Sequence, residues 1–189
     1  MGIDDAQHWH DIFKKEFAKE SDRACVILSA AMLDSSLESL LRSRLIPTSA
    51  SQDDLFDGAN APLSTFDAKI NLSHRIGLIS SQLCRDLHII RRIRNQFAHD
   101  VFGCSFDNTS VRDRILEIYR SQKITESLPD TRTAFPDGLR GNFQFCVSWM
   151  LWFLRTAMGK TEPIEPPPAE FGYDPRGGRR KEKETRKPK

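Results

Sequence analysis

Apolar residues in this chain recur mostly at helical spacing. Trp9, Phe13 and Phe17 repeat at every fourth position of "DDAQHWHDIFKKEFAKE", which predicts a first amphipathic helix. In "SDRACVILSAAMLDSSLESLLRSRLI" the stripe is Val26, Ala30, Leu33, Leu37, Leu40 and Leu41, with Ser21 or Asp22 as the cap and Pro47 as the stop. A polar stretch rich in turn formers follows. "STFD" at 64–67 has the form of a capping box with Asp in place of Glu, opening a helix that carries Phe66, Ile70 and Ile76. Further helices are predicted from about Ser81 to Ala98, over "TSVRDRILEIYR", and from about Asn142 to Met158. Pro129, Pro136 and Gly138 mark the loop before the last of these. Strand-like alternation is confined to "HDVFGCSF", and no internal repeat is visible. The predicted fold is all-α, a single helical-bundle domain of about five to six helices.

Composition changes that picture at one end. A hydrophobic content of 39% is low for a chain that folds throughout, and the deficit lies beyond Thr161. "EPIEPPPAEFGYDPRGGRRKEKETRKPK" is proline, glycine and charge, with too little to bury to offset its ordering entropy. The sequence therefore divides into a helical domain over 1–161 and a disordered tail over 162–189, Pro-rich and then basic. At 189 residues there is room for one such domain and not for two.

The charge follows the same division. The tail holds eight Lys/Arg and six Asp/Glu, which leaves twenty of each sign in 1–161. A neutral body argues against a broad nucleic-acid-binding face. The stretch Arg176–Lys189 is strongly basic, and such a tail can touch nucleic acid or an acidic surface through salt-sensitive contacts, or simply aid solubility.

Cys25, Cys84, Cys104 and Cys146 are scattered, with no CxxC and no histidine at metal-ligand spacing. They read as buried free thiols of a reducing compartment, with no metal site and no cofactor implied. The N-terminus lacks the order of a signal peptide. The most apolar run, "FQFCVSWMLWFL" at 143–154, is too short to span a bilayer. The expectation is a soluble cytoplasmic protein without a membrane partner. That run is apolar nearly all round, so one core face cannot absorb it. Trp149, Trp152 and Phe153 are the residues expected to meet a second chain, which predicts a homodimer.

The helix over 81–98 mixes two kinds of residue. Leu83, Leu87, Ile90, Ile93 and Phe97 fall on one face, while His88, Arg92, Asn95 and His99 form a polar stripe opposite. Arg94 projects between Leu87 and Phe97, on the apolar side. A buried guanidinium needs a partner, and Asp34 and Glu38, one turn apart beside the stripe of the helix over 21–46, are the natural candidates. Read plainly, Arg94 is a structural ion pair, and Asn95 and His99 are a solvated face and a helix end. Arg94 and His99 lie about 140° apart on a straight helix. They converge only if the helix ends near Ala98 or a second chain completes the site.

"STFDAKINLSHRIGLIS" followed by "LHIIRRIRNQFAHD", after "ILSAAMLDSSLESLL", resembles the mannitol operon repressor family of small all-helical bacterial proteins. The similarity covers roughly residues 20–105. The Arg94-x-x-x-x-His99 element, with Asn95 after the arginine, also resembles the signature of the HEPN superfamily. Many members of that superfamily are metal-independent ribonucleases working as dimers, and others are inactive binding modules.

Two functions follow from these resemblances. The first is a transcription-regulator-like repressor that acts through a protein partner, since no helix-turn-helix with a basic recognition helix is present for direct DNA reading. The alternative is a metal-independent endoribonuclease of the toxin or defence kind. His99 would then be the general acid/base on a ribose 2′-OH, Arg94 would steady the phosphate charge, and Asn95 would orient or donate a hydrogen bond. The regulator ranks first, because the neutral body offers no RNA groove beyond Arg85, Arg91 and Arg92.

Overall fold

The computed structural model describes residues 15, 17, 19–100, 103–123 and 129–166. Most of the helix predicted over 4–20, part of the "HDVFGCSF" alternation and the chain from 167 onward therefore lie outside the described residues. Those that are described form five α-helices and one 3-10 turn, with no strand among them. We label them α1 (Asp22–Arg44), α2 (Phe66–Arg75), α3 (Ser81–His99), α4 (Thr109–Gln122) and α5 (Gly138–Lys160), with the 3-10 turn at Pro129–Ala134. The fold is all-α, as the periodicity predicts.

Helix starts follow side-chain chemistry. Ser21 caps α1 by accepting from the Ala24 N–H at 3.2 Å, and Ser80 caps α3 by accepting from Leu83 N–H at 3.1 Å. For α2 the cap is Thr65, which accepts from Ala68 N–H at 3.1 Å. That is one residue later than the capping box at 64–67 implied, so Asp67 sits in the first turn, where its charge suits the helix dipole. Helix α5 begins at Gly138, four residues before the predicted start.

Helix α1 is the central strut, packing on α5, α3 and α2. Its buried residues are Cys25, Val26, Ser29, Ala30, Leu33, Leu37, Leu40 and Leu41, the predicted stripe with two additions. By length and composition α1 could cross a membrane, but this stripe is buried inside the domain. The core continues through Leu87, Ile90, Ile93 and Phe97 of α3 into Phe143, Val147, Met150 and Leu154 of α5. Aromatic contacts knit the centre: Phe97, Phe106 and Phe143 stack in sequence at centroid distances of 5.8 and 5.2 Å.

Charged groups fasten the periphery. Arg42 at the end of α1 reaches Glu38 at 2.9 Å and Asp53 at 2.7 Å and lies over the Phe56 ring, holding the loop between α1 and α2. Arg140 of α5 reaches back to Asp22 at 2.8 Å and to the carbonyls of Phe17 and Glu20. After α5 the chain returns to the far end of α1. Arg44 Nη1 donates to the Glu162 carbonyl at 2.7 Å, and Ile164 N–H donates to the Arg44 carbonyl at 2.8 Å. The first residues assigned to the tail are thus attached to the domain.

Candidate functional site

Two places on α3 carry chemistry, one at each end. At the C-terminal end stand Arg94, Asn95 and His99. Arg94 and His99 are exposed, Asn95 is half-buried, and Arg94 Nη1 donates to Asn95 Oδ1 at 3.0 Å. Helix α3 runs unbroken through His99, and Asp100 forms its C-cap by donating its N–H to Gln96 O. The helix therefore does not end at Ala98, and within one chain Arg94 and His99 remain about 140° apart.

The expected ion pair between Arg94 and Asp34 or Glu38 is corrected by the structure. Both carboxylates belong to Lys69 of α2, whose ammonium stands 3.1 Å from Asp34 and 2.8 Å from Glu38. Lys69 is only 4% exposed, whereas Arg94 is on the surface. The helical wheel gives Arg94 its angle correctly but cannot say where the neighbouring helices stop. Arg94 stands at the edge of a face whose Ile93 and Phe97 remain buried, and its long side chain carries the guanidinium out to water.

The polar stripe of α3 also divides. His88 is drawn into the contact with α2, 3.2 Å from Asn71 Oδ1 and 3.5 Å from Asp67. Burial lowers its pKa; Asp67 pulls the other way and Arg91 and Arg92 add to the lowering. Arg91 pairs with Asp67 at 2.9 Å. Gln96 is tied to α4, where Arg114 donates to its Oε1 at 2.6 Å and Ser110 bonds it at 2.9 Å. Arg92 and His99 are left facing solvent.

At the N-terminal end of α3 a cleft of about 340 Å³ opens between Leu78–Leu83, Gln122 at the end of α4, and Trp149–Ala157 of α5. Asp86, 1% exposed, is part of its lining. Burial raises the Asp86 pKa, against the hydrogen bonds from Ser121 Oγ to Oδ2 at 2.7 Å and from Arg85 to Oδ1 at 3.2 Å. The Cys146 thiol is held neutral, its pKa pushed up by burial and by the Asp86 charge. Asp86 is not among the residues that the sequence patterns single out. The signal was there, because Asp86 stands three residues after Leu83 and four before Ile90, inside the apolar stripe.

Trp149 and Trp152 are half-buried, and Phe153, 59% exposed, stands at the cleft's rim. The rings form a chain from the core outward: Phe145 to Trp149 at 6.4 Å, Trp149 to Trp152 at 5.3 Å, and Trp152 to Phe153 at 5.9 Å. Among the described residues no group of three or more His, Cys, Asp or Glu is arranged to hold a metal ion.

These features define an all-helical domain of MtlR-like fold, with an exposed aromatic patch on its last helix and a cationic end to α3. The likeness is to a chain in the X-ray structure of the MtlR–HPr complex from Escherichia coli. It has a TM-score of 0.56 and 14% identity, and it covers 78% of this chain and 98% of that one. At that identity the shared property is the fold. No protein-family model matches the sequence, and no curated protein matches it.

Proposed function

We propose that this chain is a regulatory protein that acts by docking a small protein partner, and that it does not read DNA sequence directly. The observation that carries the reading is the fold, which resembles that of a chain solved in a complex of MtlR with HPr. The aromatic face of α5 supports it, since an exposed Phe153 backed by Trp149 and Trp152 is the kind of anchor that protein interfaces use. HPr, or a small protein like it, is the partner to try. Calorimetric titration of the full chain with HPr of the same organism is expected to show saturable binding in the micromolar range. Absence of heat at about 100 µM would remove HPr as the partner.

A second copy of the chain is proposed to compete with that partner for the same face, through Trp149, Trp152 and Phe153. Light scattering of the wild type at micromolar concentration is expected to give a dimer mass, and Phe153→Ala to shift the population toward monomer. A wild-type monomer under those conditions removes the dimer.

The ribonuclease reading keeps one point in its favour, the exposure of Arg94 and His99 at one helix end. It requires two chains, because one chain holds the pair on different sides of α3. Purified wild type and His99→Ala, incubated with mixed cellular RNA with and without EDTA, are expected to give equal background cleavage. Cleavage by wild type alone, insensitive to EDTA and leaving 2′,3′-cyclic phosphate ends, would replace the regulator with a nuclease.

A further inference from the structure

One pole of the domain carries an open apolar groove. It lies between the end of α1 and the loop that follows, holds about 500 Å³, and is lined by Leu45, Ile46, Pro47, Leu55 and Phe56. Phe56 is buried, with the Arg42 guanidinium 4.2 Å from its ring centre, while Ile46 and Leu55 are 50% and 43% exposed. Of the six large hydrophobics that stand exposed among the described residues, three gather here. The third is Ile164, whose N–H donates to the carbonyl of Arg44, two residues before Ile46. Apolar side chains grouped in the open in this way mark an interaction surface. The margin of the groove is acidic. Asp53 and Asp54 share the lining with one cation, Arg42, which also reaches Asp57 at 3.4 Å.

The chain itself supplies an occupant that fits. Ile164 is fixed beside Arg44, and Phe171 follows seven residues later. Prolines 166–168 between them favour an extended path of about 3 Å per residue, which carries Phe171 up to roughly 20 Å from the anchor. The groove begins at Leu45, the residue after Arg44, inside that radius. Phe171 and Tyr173 are the only aromatic residues beyond 166, and Arg176 comes three residues after them with charge to match the acidic margin. Fixing so short a piece incurs only a small part of the ordering entropy of the whole tail. A tethered segment also needs little intrinsic affinity, because a short linker keeps its local concentration near millimolar. We infer that the segment Phe171–Tyr173 docks in this groove, its rings against Ile46, Pro47 and Leu55 and Arg176 toward Asp54. The basic residues from Arg179 onward stay outside it.

Tyr119 and Tyr173 are the two tyrosines of the chain, and Tyr119 packs against the main core. The full chain labelled with 3-fluorotyrosine therefore gives one fluorine resonance for the core and one for the tail. The Tyr173 resonance of the wild type is expected to lie away from that of a free peptide covering residues 167–178. Leu55→Asp should return it to the peptide position and leave the Tyr119 resonance in place, which shows that the variant folds. Phe171→Ala should move Tyr173 the same way. The free peptide, added to the full-length Phe171→Ala chain, is expected to shift the Ile46 and Leu55 amide resonances saturably at about millimolar concentration. The displacement of Tyr173 should persist on dilution. A wild-type Tyr173 at the peptide position, a displacement that Leu55→Asp leaves intact, or the absence of peptide-induced shifts would each overturn the assignment. A displacement lost on dilution would overturn it too, by giving the groove to the tail of a second copy.

Discussion

Lys69→Met is expected to lower the unfolding free energy by about 2–3 kcal/mol at neutral pH, below the roughly 3–5 kcal/mol of a fully buried broken pair. Methionine keeps the apolar stem of the side chain and removes only the charge. What remains is Asp34 and Glu38, one turn apart on α1, with their common cation gone. Those carboxyl side chains are 32% and 30% exposed, so water screens part of the loss. The pH dependence provides the signature. Burial pushes Glu38 upward, but the hydrogen bonds from Lys69 and Arg42 outweigh it and hold Glu38 below the ordinary carboxylate range. Stability from a depressed carboxylate is present above its unfolded pKa and is lost as pH falls through the folded one. Urea unfolding at neutral and at strongly acidic pH should therefore show the gap between wild type and variant closing in acid. A gap of the same size at both would mean that Lys69 acts through packing alone. Burial also works against the charge on Lys69, but the bonds to Glu38 and Asp34 prevail and raise its pKa. Its own contribution is present below the ordinary lysine value and fades only as pH rises through the higher folded one.

The second large effect is steric. Gly141 lies in the first turn of α5, and a Cβ placed there would stand 1.7 Å from the Pro136 carbonyl oxygen and 2.7 Å from its carbon. Those are backbone atoms of the turn leading into the helix, and that turn is itself clamped. Arg132 donates to Asn142 Oδ1 at 2.9 Å and to the Phe135 carbonyl at 3.1 Å. Helix propensity alone would make Gly→Ala stabilising by about 1 kcal/mol. Here the clash dominates, and Gly141→Ala is expected to cost about 3 kcal/mol, the upper range for overpacking. Gly159, near the other end of α5, is the control, since a Cβ there meets nothing within 4 Å. Gly159→Ala should raise the melting temperature slightly while Gly141→Ala lowers it by many degrees. A rise for both would show that the approach of α5 to Pro136 is looser than described.

Helices were legible wherever one face repeated. The stripe from Val26 to Leu41 located α1, and the one from Leu83 to Phe97 located α3. The start of α5 is not legible because Pro136 and Gly138 have the character of loop residues. Gly138 does take a left-handed φ of 84°, but Gly141 is helical and buried, chosen for closeness to Pro136. Charge partners were much less legible. Periodicity places Arg94 on a side of its own helix and says nothing about which element lies opposite. Lys69 gave a readable sign, standing between Phe66, Ile70 and Ser73 on the inward face of α2, but only the assembled fold shows the two carboxylates it meets. The cleft was invisible for the same reason. Leu78, Leu83, Asp86, Gln122 and Trp149 come from separate stretches of chain, and no local pattern joins them.

The bonds between Arg44 and the stretch Glu162–Ile164 set an anchor point. They place the exit of the chain beside the end of α1, close to the loop that Arg42 holds through Asp53. The 23 residues beyond 166 can span at most about 80 Å when fully drawn out. A ligand of the basic stretch Arg176–Lys189 would be tethered to the domain from this one point. Such a ligand would be held at a raised local concentration around the domain, most of all near that pole. Affinity at the leash would become affinity at the pole without any added contact.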